Sequence, residues 1–269
     1  MSNVKNEIPM PQDPDSVADN FLAFVQLVTV LRQECPWDRK QTNESIAHLL
    51  IEEAYEMIEA VQKGDDEEFS RELGDLLLHV VMHSVMAEER GAFDMVKIIK
   101  RIHKKLVHRH PHIFGEIEVR DDSDVTRNWE ELKMQEGRTS VLQGVPHSLP
   151  SLLRAERMQH KVANVGFDWD NSEGPWLKVE EELAELKAEL KNGNKDKAEE
   201  ELGDVLFSIV NAARFDKLVP EEALQKTNNK FIKRFQYIEE KAHQLGKEIN
   251  KMSLEEMDTL WNEAKQNGL

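Results

Sequence analysis

Residues 52–75 read EEAYEMIEAVQKGDDEEFSRELGD, and residues 181–204 read EELAELKAELKNGNKDKAEEELGD. The two stretches share one plan, in which Glu-Glu-x-x-Glu is followed by a glycine-containing turn and then by Glu-Leu-Gly-Asp. Every matching acidic residue is displaced by 129 positions. Matching acids alone would be only mildly surprising in a chain so rich in them, but the shared Glu-Leu-Gly-Asp at one constant displacement argues against chance. The sequence therefore predicts two tandem copies of one structural unit.

The residues around these stretches carry a helical rather than an alternating apolar pattern. Between residues 43 and 61 the apolar side chains recur at spacings of three and four, at Ile46, Leu49, Leu50, Ala54, Met57, Ile58 and Val61. A second helix is predicted from about residue 67 to 90, and a third from about 94 to 110, stopped near Pro111. Because strand-like runs are essentially absent, the predicted fold class is all-α.

This pattern predicts two tandem helical-bundle domains, at residues 18–115 and 151–269. The segment between them, residues 116–150, is polar and has Pro146 and Pro150 near its end, which is typical of a linker. Each domain also has a later basic helix, marked by Lys105 and Arg109 in the first half and by Lys230 and Arg234 in the second.

The acidic motifs predict a metal site in each half. Residues three and four apart share one face of a helix, and a short turn makes two successive helices antiparallel neighbours, so the two acidic faces can meet. Hard oxygen ligands of this kind suit Mg²⁺, with Mn²⁺ as an alternative, rather than zinc. The candidate ligands are Glu52, Glu53, Glu56, Glu72 and Asp75 in the first half and Glu181, Glu182, Glu185, Glu201 and Asp204 in the second.

Apolar runs follow both acidic motifs. Asp75 opens the run at 76–82 and Asp204 opens the run at 205–210, and helices this apolar are expected to be buried nearly all round. An ionised carboxylate beside a buried helix needs a partner, or its pKa rises until it is neutral. The competing interpretation is a set of solvated helix faces with salt bridges to lysines. Two paired motifs, both beside apolar helices, favour the metal.

Composition restricts the classes of partner. The 269-residue chain has a formal charge of −17, which argues against binding to nucleic acid or to an anionic membrane surface. No apolar run approaches the ~20 residues that span a bilayer, and the polar first 20 residues do not resemble a signal peptide. The single Cys35 makes no intrachain disulfide, so we expect a cytoplasmic protein.

After about residue 18, the sequence resembles the MazG-type nucleoside triphosphate pyrophosphohydrolases, which are all-α NTP pyrophosphatases. The acidic motifs alone are shared more widely among all-α nucleotide pyrophosphatases, and the full set of motifs is much more specific. No Gly-x-x-x-x-Gly-Lys-Ser/Thr loop is present, which excludes a P-loop enzyme. The further motifs are Cys35-Pro36-Trp37-Asp38 with Gln41-Thr42, His110-Pro111-His112-Ile113-Phe114-Gly115, Trp129-Glu130, Leu149-Pro150, Val165-Gly166-Phe167-Asp168-Trp169, and Asn229-Lys230-Phe231 to Arg234-Phe235.

The resemblance implies hydrolysis of ribo- and deoxyribonucleoside triphosphates between the α- and β-phosphates, with loose base selectivity. It also implies a homodimer and a link to the bacterial stress response. The carboxylates of the second half would hold one or two Mg²⁺ ions and activate a water, while lysines and Arg234 would hold the phosphates. The sequence does not say which glutamate takes the proton of the water.

The second half is better equipped for a triphosphate than the first. Lys178 and Lys197 each lie one turn before an acidic motif, whereas Leu49 and Glu68 occupy the matching positions of the first half. We therefore place the main active site in the second half, and the first is then a weaker site, a regulatory site or a dimerisation element. The candidate substrate-binding residues are Lys178, Lys197, Lys230, Arg234, Trp261, which would stack a base, and Lys265.

Three further features have two interpretations each. Trp37 and Trp169 each precede an aspartate, and they either line a base pocket or serve in packing. Lys133 either reaches the nucleotide from the linker or is a solvated helix residue. His79 and His83 have the spacing of helical zinc motifs, but they are better explained as core or interface histidines.

Two other functions remain open on the sequence. A narrower pyrophosphatase for dUTP or phosphoribosyl-ATP is disfavoured by the tandem architecture and by the Cys-Pro-Trp-Asp motif. A non-enzymatic helical interaction module, with acids that only solubilise the chain, predicts neither saturable Mg²⁺ binding nor a product.

Overall fold

The computed structural model of the chain describes residues 7–120, 124–125, 132 and 139–269. Helices form the regular structure of these residues, and no strand occurs among them, which confirms the predicted all-α class. The chain divides into two units, Met1–Ile117 and Glu118–Leu269. The Trp129-Glu130 motif and Lys133 lie outside the described residues.

The described part of the first unit, from residue 7 onward, contains four long helices and one short one. They are α1 (Val17–Glu34), α2 (Ala47–Lys63), α3 (Asp66–Glu89), α4 (Met95–Arg109) and α5 (Pro111–Phe114), with a 3₁₀ turn at Asp38–Lys40. Side chains that accept hydrogen bonds from the first turn explain where three helices begin. These capping residues are Ser16 for α1, Asp65 for α3 and Asp94 for α4.

A glycine with a left-handed backbone ends the first acidic helix of each unit. Gly64 has φ 68° and Gly193 has φ 73°, a conformation that residues with a side chain rarely adopt. One capping residue follows each glycine before the next helix begins. The chain therefore reverses within two residues and packs the two acidic helices of each unit side by side.

The core of the first unit forms between α1, α3 and the start of α2. Its buried members pack with Leu49, which is only half-buried itself. By the usual scale, each fully buried apolar side chain contributes roughly 1.5–3 kcal/mol. The buried members are Val28, Ile46, Val81, Met82, Val85 and Met86.

The second unit repeats this plan and extends it. From residue 139 onward its helices are α6 (Ser151–Ala163), α7 (Glu173–Asn192), α8 (Lys195–Phe215), α9 (Pro220–Gln244) and α10 (Leu254–Gln266), with a 3₁₀ turn at Ile249–Lys251. Helix α8 packs against both α6 and α7, and α9 packs against α10 and α6. The buried Lys161 on α6 donates a 2.8 Å hydrogen bond to the carbonyl of Val141, so the end of the predicted linker is tied to this unit.

One expectation about burial is wrong for the single chain. Within the part of the chain that the structure describes, the apolar runs after Asp75 and Asp204 are not buried all round, because each keeps exposed apolar side chains on one face. Leu77 is 40% exposed and Leu206 is 47% exposed. Among the described residues, no helix is long and apolar enough to cross a membrane.

Candidate active site

In the second unit, three glutamates from two helices form a carboxylate group. Glu182 and Glu185 lie one turn apart on α7, and Glu201 faces them from α8. One oxygen of each side chain lies within 4.8 Å of the other two. Only 6% of Glu182 is exposed. Negative charges this close together, one of them shielded from water, favour a proton or a cation as a partner.

The electrostatics of this group fit a divalent cation. The pKa of Glu201 lies above its usual value, first because the carboxyl is desolvated and then because Glu185, Glu182 and Asp204 add negative charge. All the donor atoms are carboxylate oxygens, which Mg²⁺ and Mn²⁺ prefer to the softer ligands of zinc. The residues present therefore fit the metal that the sequence predicts.

Lys178 supplies positive charge beside this group. Its Nζ lies 2.6 Å from a carboxylate oxygen of Glu182 and 2.9 Å from one of Glu181. The hydrogen bond to Glu181, followed by that to Glu182, raises the pKa of Lys178. Glu181 and Asp204 do not belong to the three-carboxylate group. The structure thus groups three of the five predicted ligands.

The first unit contains an equivalent group. Oxygens of Glu53, Glu56 and Glu72 lie within 4.8 Å of one another. Desolvation is the largest cause that raises the pKa values of Glu53 and Glu72. Here too the two outer predicted ligands, Glu52 and Asp75, lie outside the group.

The two groups have different neighbours. Leu49 stands where the second unit has Lys178, and it packs against the hydrophobic core instead of reaching the carboxylates. Farther along α3, His79 is buried, and Nδ1 of His83 lies 2.7 Å from the side-chain nitrogen of Asn43. Among the described residues, no group of three candidate metal ligands includes a histidine, and the packing role of this pair stays a prediction.

A cavity of about 430 Å³ adjoins the carboxylate group of the second unit. Glu182, Asp204 and Lys178 line one part of its wall, so the cavity opens onto the acidic site. The rest of the wall is mainly apolar and aromatic with a few polar side chains. It includes Leu142, Gln159, Trp169, Phe207, Asn211 and Arg214.

The other predicted substrate-binding residues do not line this cavity. The Nε of Arg234 donates a 2.7 Å hydrogen bond to the carbonyl of Leu269, and its guanidinium lies 5.4 Å from the centroid of the Trp261 ring. That ring also packs against Phe231, with 5.2 Å between centroids. The roles assigned from the sequence to these residues stay predictions. The residues outside the cavity wall are Lys197, Lys230, Arg234, Trp261 and Lys265.

Comparison with known families identifies the protein family to which the chain is related. The model of the family described as "MazG nucleotide pyrophosphohydrolase domain" matches the chain twice, at residues 41–114 and 173–238. The chain belongs to this family. The two MazG matches contain both carboxylate groups, which confirms the tandem arrangement predicted from the repeat.

Individual relatives align over most of the chain. "Nucleoside triphosphate pyrophosphohydrolase/pyrophosphatase MazG" of Thermotoga maritima is 41% identical over 91% of this chain and 96% of its own length. "Nucleoside triphosphate pyrophosphohydrolase" of Escherichia coli K12 is 40% identical over 92% of this chain and 97% of its own length. "Uncharacterized protein YabN" of Bacillus subtilis is 44% identical over 96% of this chain and 54% of its own length.

Part of the cavity wall was not predicted from the sequence. The MazG matches leave out Gln159 and Trp169, and of these two only Trp169 was a candidate. Gln159 and Asn211 belong to no motif of the sequence. They line the cavity because α6 packs against α8. Two exchanges between the repeats separated the two sites in the sequence, Leu49 for Lys178 and Glu68 for Lys197, and of the two lysines only Lys178 lines the cavity.

Proposed function

We propose that this chain hydrolyses nucleoside triphosphates to nucleoside monophosphates and pyrophosphate, with its main active site in the second unit. Membership of the MazG family and the names of the relatives support the reaction. The observation that supports this location of the active site is the three-carboxylate group around the buried Glu182, which opens onto a cavity lined by Lys178 and Trp169. The proposed substrates are ribo- and deoxyribonucleoside triphosphates with a broad range of bases.

The proposed cofactor is Mg²⁺, with Mn²⁺ as an alternative, held by Glu182, Glu185 and Glu201. The oxygen-only donor set and the burial of Glu182 support this choice. When bound, the ion supplies positive charge to phosphate oxygens and lowers the pKa of a water. Glu181 and Asp204 flank the group and complete the set of ligands proposed from the sequence.

Lys178 is the cation best placed to receive the phosphates. It lines the cavity while its ammonium donates hydrogen bonds to Glu181 and Glu182, and a phosphate oxygen can replace either acceptor. Arg234 would have to leave the carbonyl of Leu269 before it could bind a phosphate. The other proposed phosphate ligands are Lys197, Lys230 and Lys265.

The first unit is proposed to be a weaker site, a regulatory site or a dimerisation element. Its group of Glu53, Glu56 and Glu72 has the same ligands, but Leu49 provides no charge for a phosphate. This asymmetry supports a main site in the second unit rather than two equal sites.

A homodimer is the proposed assembly. Exposed apolar side chains recur on the outer faces of α2 and α3 at helical spacing, and a second copy of the chain would remove them from water. Sedimentation of the purified protein tests this directly, because a monomer has half the mass of the proposed species. The residues concerned are Ile51, Tyr55, Leu73, Leu77 and Val80.

Product analysis tests the reaction and the location of the site together. The purified protein would be incubated with ATP, dGTP and dUTP, with and without Mg²⁺, and the products separated by chromatography. Magnesium-dependent monophosphate and pyrophosphate, lost in Glu182→Ala but retained in the matched Glu53→Ala, would support the proposal. Equal loss in both variants would refute the asymmetry. Diphosphate and orthophosphate, or no product, would refute the reaction.

A further inference from the structure

The cavity beside the carboxylate group has the size and lining of a small-molecule site. Its volume of about 430 Å³ lies within the range of roughly 300–1,000 Å³ that is usual for such sites. Trp169 and Phe207 contribute flat aromatic surfaces, while Gln159 and Asn211 contribute polar groups. A mainly apolar slot with a few polar atoms suits a planar heteroaromatic ring better than a phosphate chain.

Gln159 lines this cavity and carries an unused hydrogen-bond acceptor just behind the wall. Its side chain is 5% exposed, and its Nε2 donates a 2.8 Å hydrogen bond to the backbone carbonyl of Phe207. A carbonyl can only accept, so the amide orientation is fixed, with the nitrogen toward Phe207. The buried Oε1 has no hydrogen-bond partner among the described residues. Leaving such an atom unpaired is costly. It has almost no accessible surface, so an N–H donor from a ligand would satisfy it after a small rotation of the Gln159 side chain.

Trp169 is held in place by the backbone of α7. The indole lies so close to Gly174 that an added Cβ would come within 2.3 Å of the indole Cδ1. Only glycine at this position lets the ring keep its place. Trp169 is nevertheless 46% exposed, which leaves ring surface available to a ligand.

Arg214, Asp168 and Asn211, three other polar residues of the slot, are held by hydrogen bonds to one another. Arg214 forms an ion pair with Asp168, including a 2.9 Å hydrogen bond, and donates to Oδ1 of Asn211 over 3.1 and 3.2 Å. A site whose side chains are already ordered loses less entropy when it binds a ligand.

We infer that this cavity binds the nucleobase, with Trp169 against the face of the ring and Oε1 of Gln159 accepting a hydrogen bond from an N–H group on its edge. This inference rests on the proposed function, since the triphosphate would then extend toward Lys178 and the carboxylates. Adenine, cytosine, guanine, uracil and thymine all carry an N–H group, so one acceptor tolerates many bases. The assignment differs from base stacking on Trp261, which lies outside the cavity wall.

Binding measured without turnover tests the inference independently of the reaction. Calorimetry with Mg²⁺ would compare α,β-methylene-ATP, which resists cleavage at the proposed bond, with tripolyphosphate, which has no base. Trp169→Ala should weaken binding of the nucleotide by about tenfold or more, as loss of base stacking does elsewhere, and leave tripolyphosphate unchanged. Trp176→Ala is the matched control, because Trp176 has the same 46% exposure but does not line the cavity.

The role of Gln159 is tested with a base that lacks N–H groups. Wild type should bind the α,β-methylene analogue of purine riboside triphosphate about tenfold more weakly than α,β-methylene-ATP. Gln159→Leu should reduce the ratio of these two Kd values to about one. If Gln159→Leu does not fold, Gly174→Ala, which displaces the Trp169 ring, tests the stacking part of the inference and should selectively weaken nucleotide binding.

The outcomes separate this inference from the proposed function. Binding that depends on Trp169 and Gln159 would support the inference even if ATP were never cleaved, in which case only the proposed reaction fails. Cleavage of ATP with unchanged nucleotide binding in Trp169→Ala and Gln159→Leu would overturn the inference and keep the reaction. A selective loss in Trp261→Ala alone would also overturn it and place the base on α10.

Discussion

Mg²⁺ should stabilise the second unit through its carboxylate group, and neutralising one carboxylate should abolish the effect. The change is Glu182→Gln, which removes the charge of a buried side chain but keeps its shape. A ligand that binds only the folded state stabilises it by about 2.7 kcal/mol at 100 times its Kd. In a unit of about 150 residues, each kcal/mol raises Tm by about 2–4 °C. Wild type should therefore gain about 5–10 °C in saturating Mg²⁺, and Glu182→Gln less than about 2 °C.

Thermal unfolding followed by tryptophan fluorescence, in EDTA and in Mg²⁺, measures this shift. The signal reports mainly on the second unit, because four of the five tryptophans follow residue 118. Glu53→Gln alters the matching position of the first unit and should leave the shift intact. A full shift in Glu182→Gln would refute the reasoning, since the ion would then be held elsewhere.

The pH dependence of the same experiment has a defined sign. The folded-state pKa of Glu201 is raised above the ordinary 4.5, mainly by desolvation, so the folded protein holds this proton more tightly than the unfolded chain. Its contribution to stability is fully present below about pH 4.5 and is lost as pH rises through the folded-state pKa. In EDTA, the Tm of Glu201→Gln minus the Tm of wild type should thus become larger as the pH rises from about 5 to about 8. A pH-independent difference would contradict this explanation.

Three other predictions concern the rest of the molecule. Lys178→Met should lower kcat/KM for ATP roughly 10- to 100-fold through loss of a charge-assisted hydrogen bond, while Leu49→Met should not; equal losses in steady-state assays would count against the asymmetry. Leu77→Glu should shift the protein from dimer to monomer in sedimentation, and an unchanged mass would exclude the α3 face from the interface. Met86→Ala should lower the free energy of unfolding of the first unit by about 2–5 kcal/mol in urea titrations. A change below about 1 kcal/mol would mean that the core side chains fill the space left by the Met86 side chain.

Much of the fold could be predicted because local signals agree with tertiary packing. The second helix was predicted at 67–90 and is found at Asp66–Glu89, where the side chain of Asp65 caps its first turn. The first acidic helix begins later than its apolar period suggests, at Ala47 rather than near residue 43, because apolar periodicity does not mark a cap. Exposure was predicted poorly, since a sequence shows which face of a helix is apolar but not whether one chain or two cover it.

The candidate site was predicted in part, and its limits have a geometric cause. Adjacent residues on a helix point about 100° apart, so Glu181 and Glu182 cannot both face the same group, and the sequence cannot say which one does. In the structure Glu182 faces Glu185 and Glu201, while Glu181 is exposed. The cavity was missed because its key contact joins α6 to α8 across 48 residues, beyond the reach of any helical spacing.

The two units keep the same group of three carboxylates and differ in the charge beside it. Both place three carboxylates within 4.8 Å, so both can hold a cation. In the proposed function Lys178 exchanges a carboxylate for a phosphate oxygen, whereas Leu49, at the matching position, is engaged in the core of its unit. Leu49→Lys alone should therefore not create a second active site, since it would remove packing atoms and bring a charge against buried apolar side chains. Gaining activity in the first unit would also require changes in the core behind position 49.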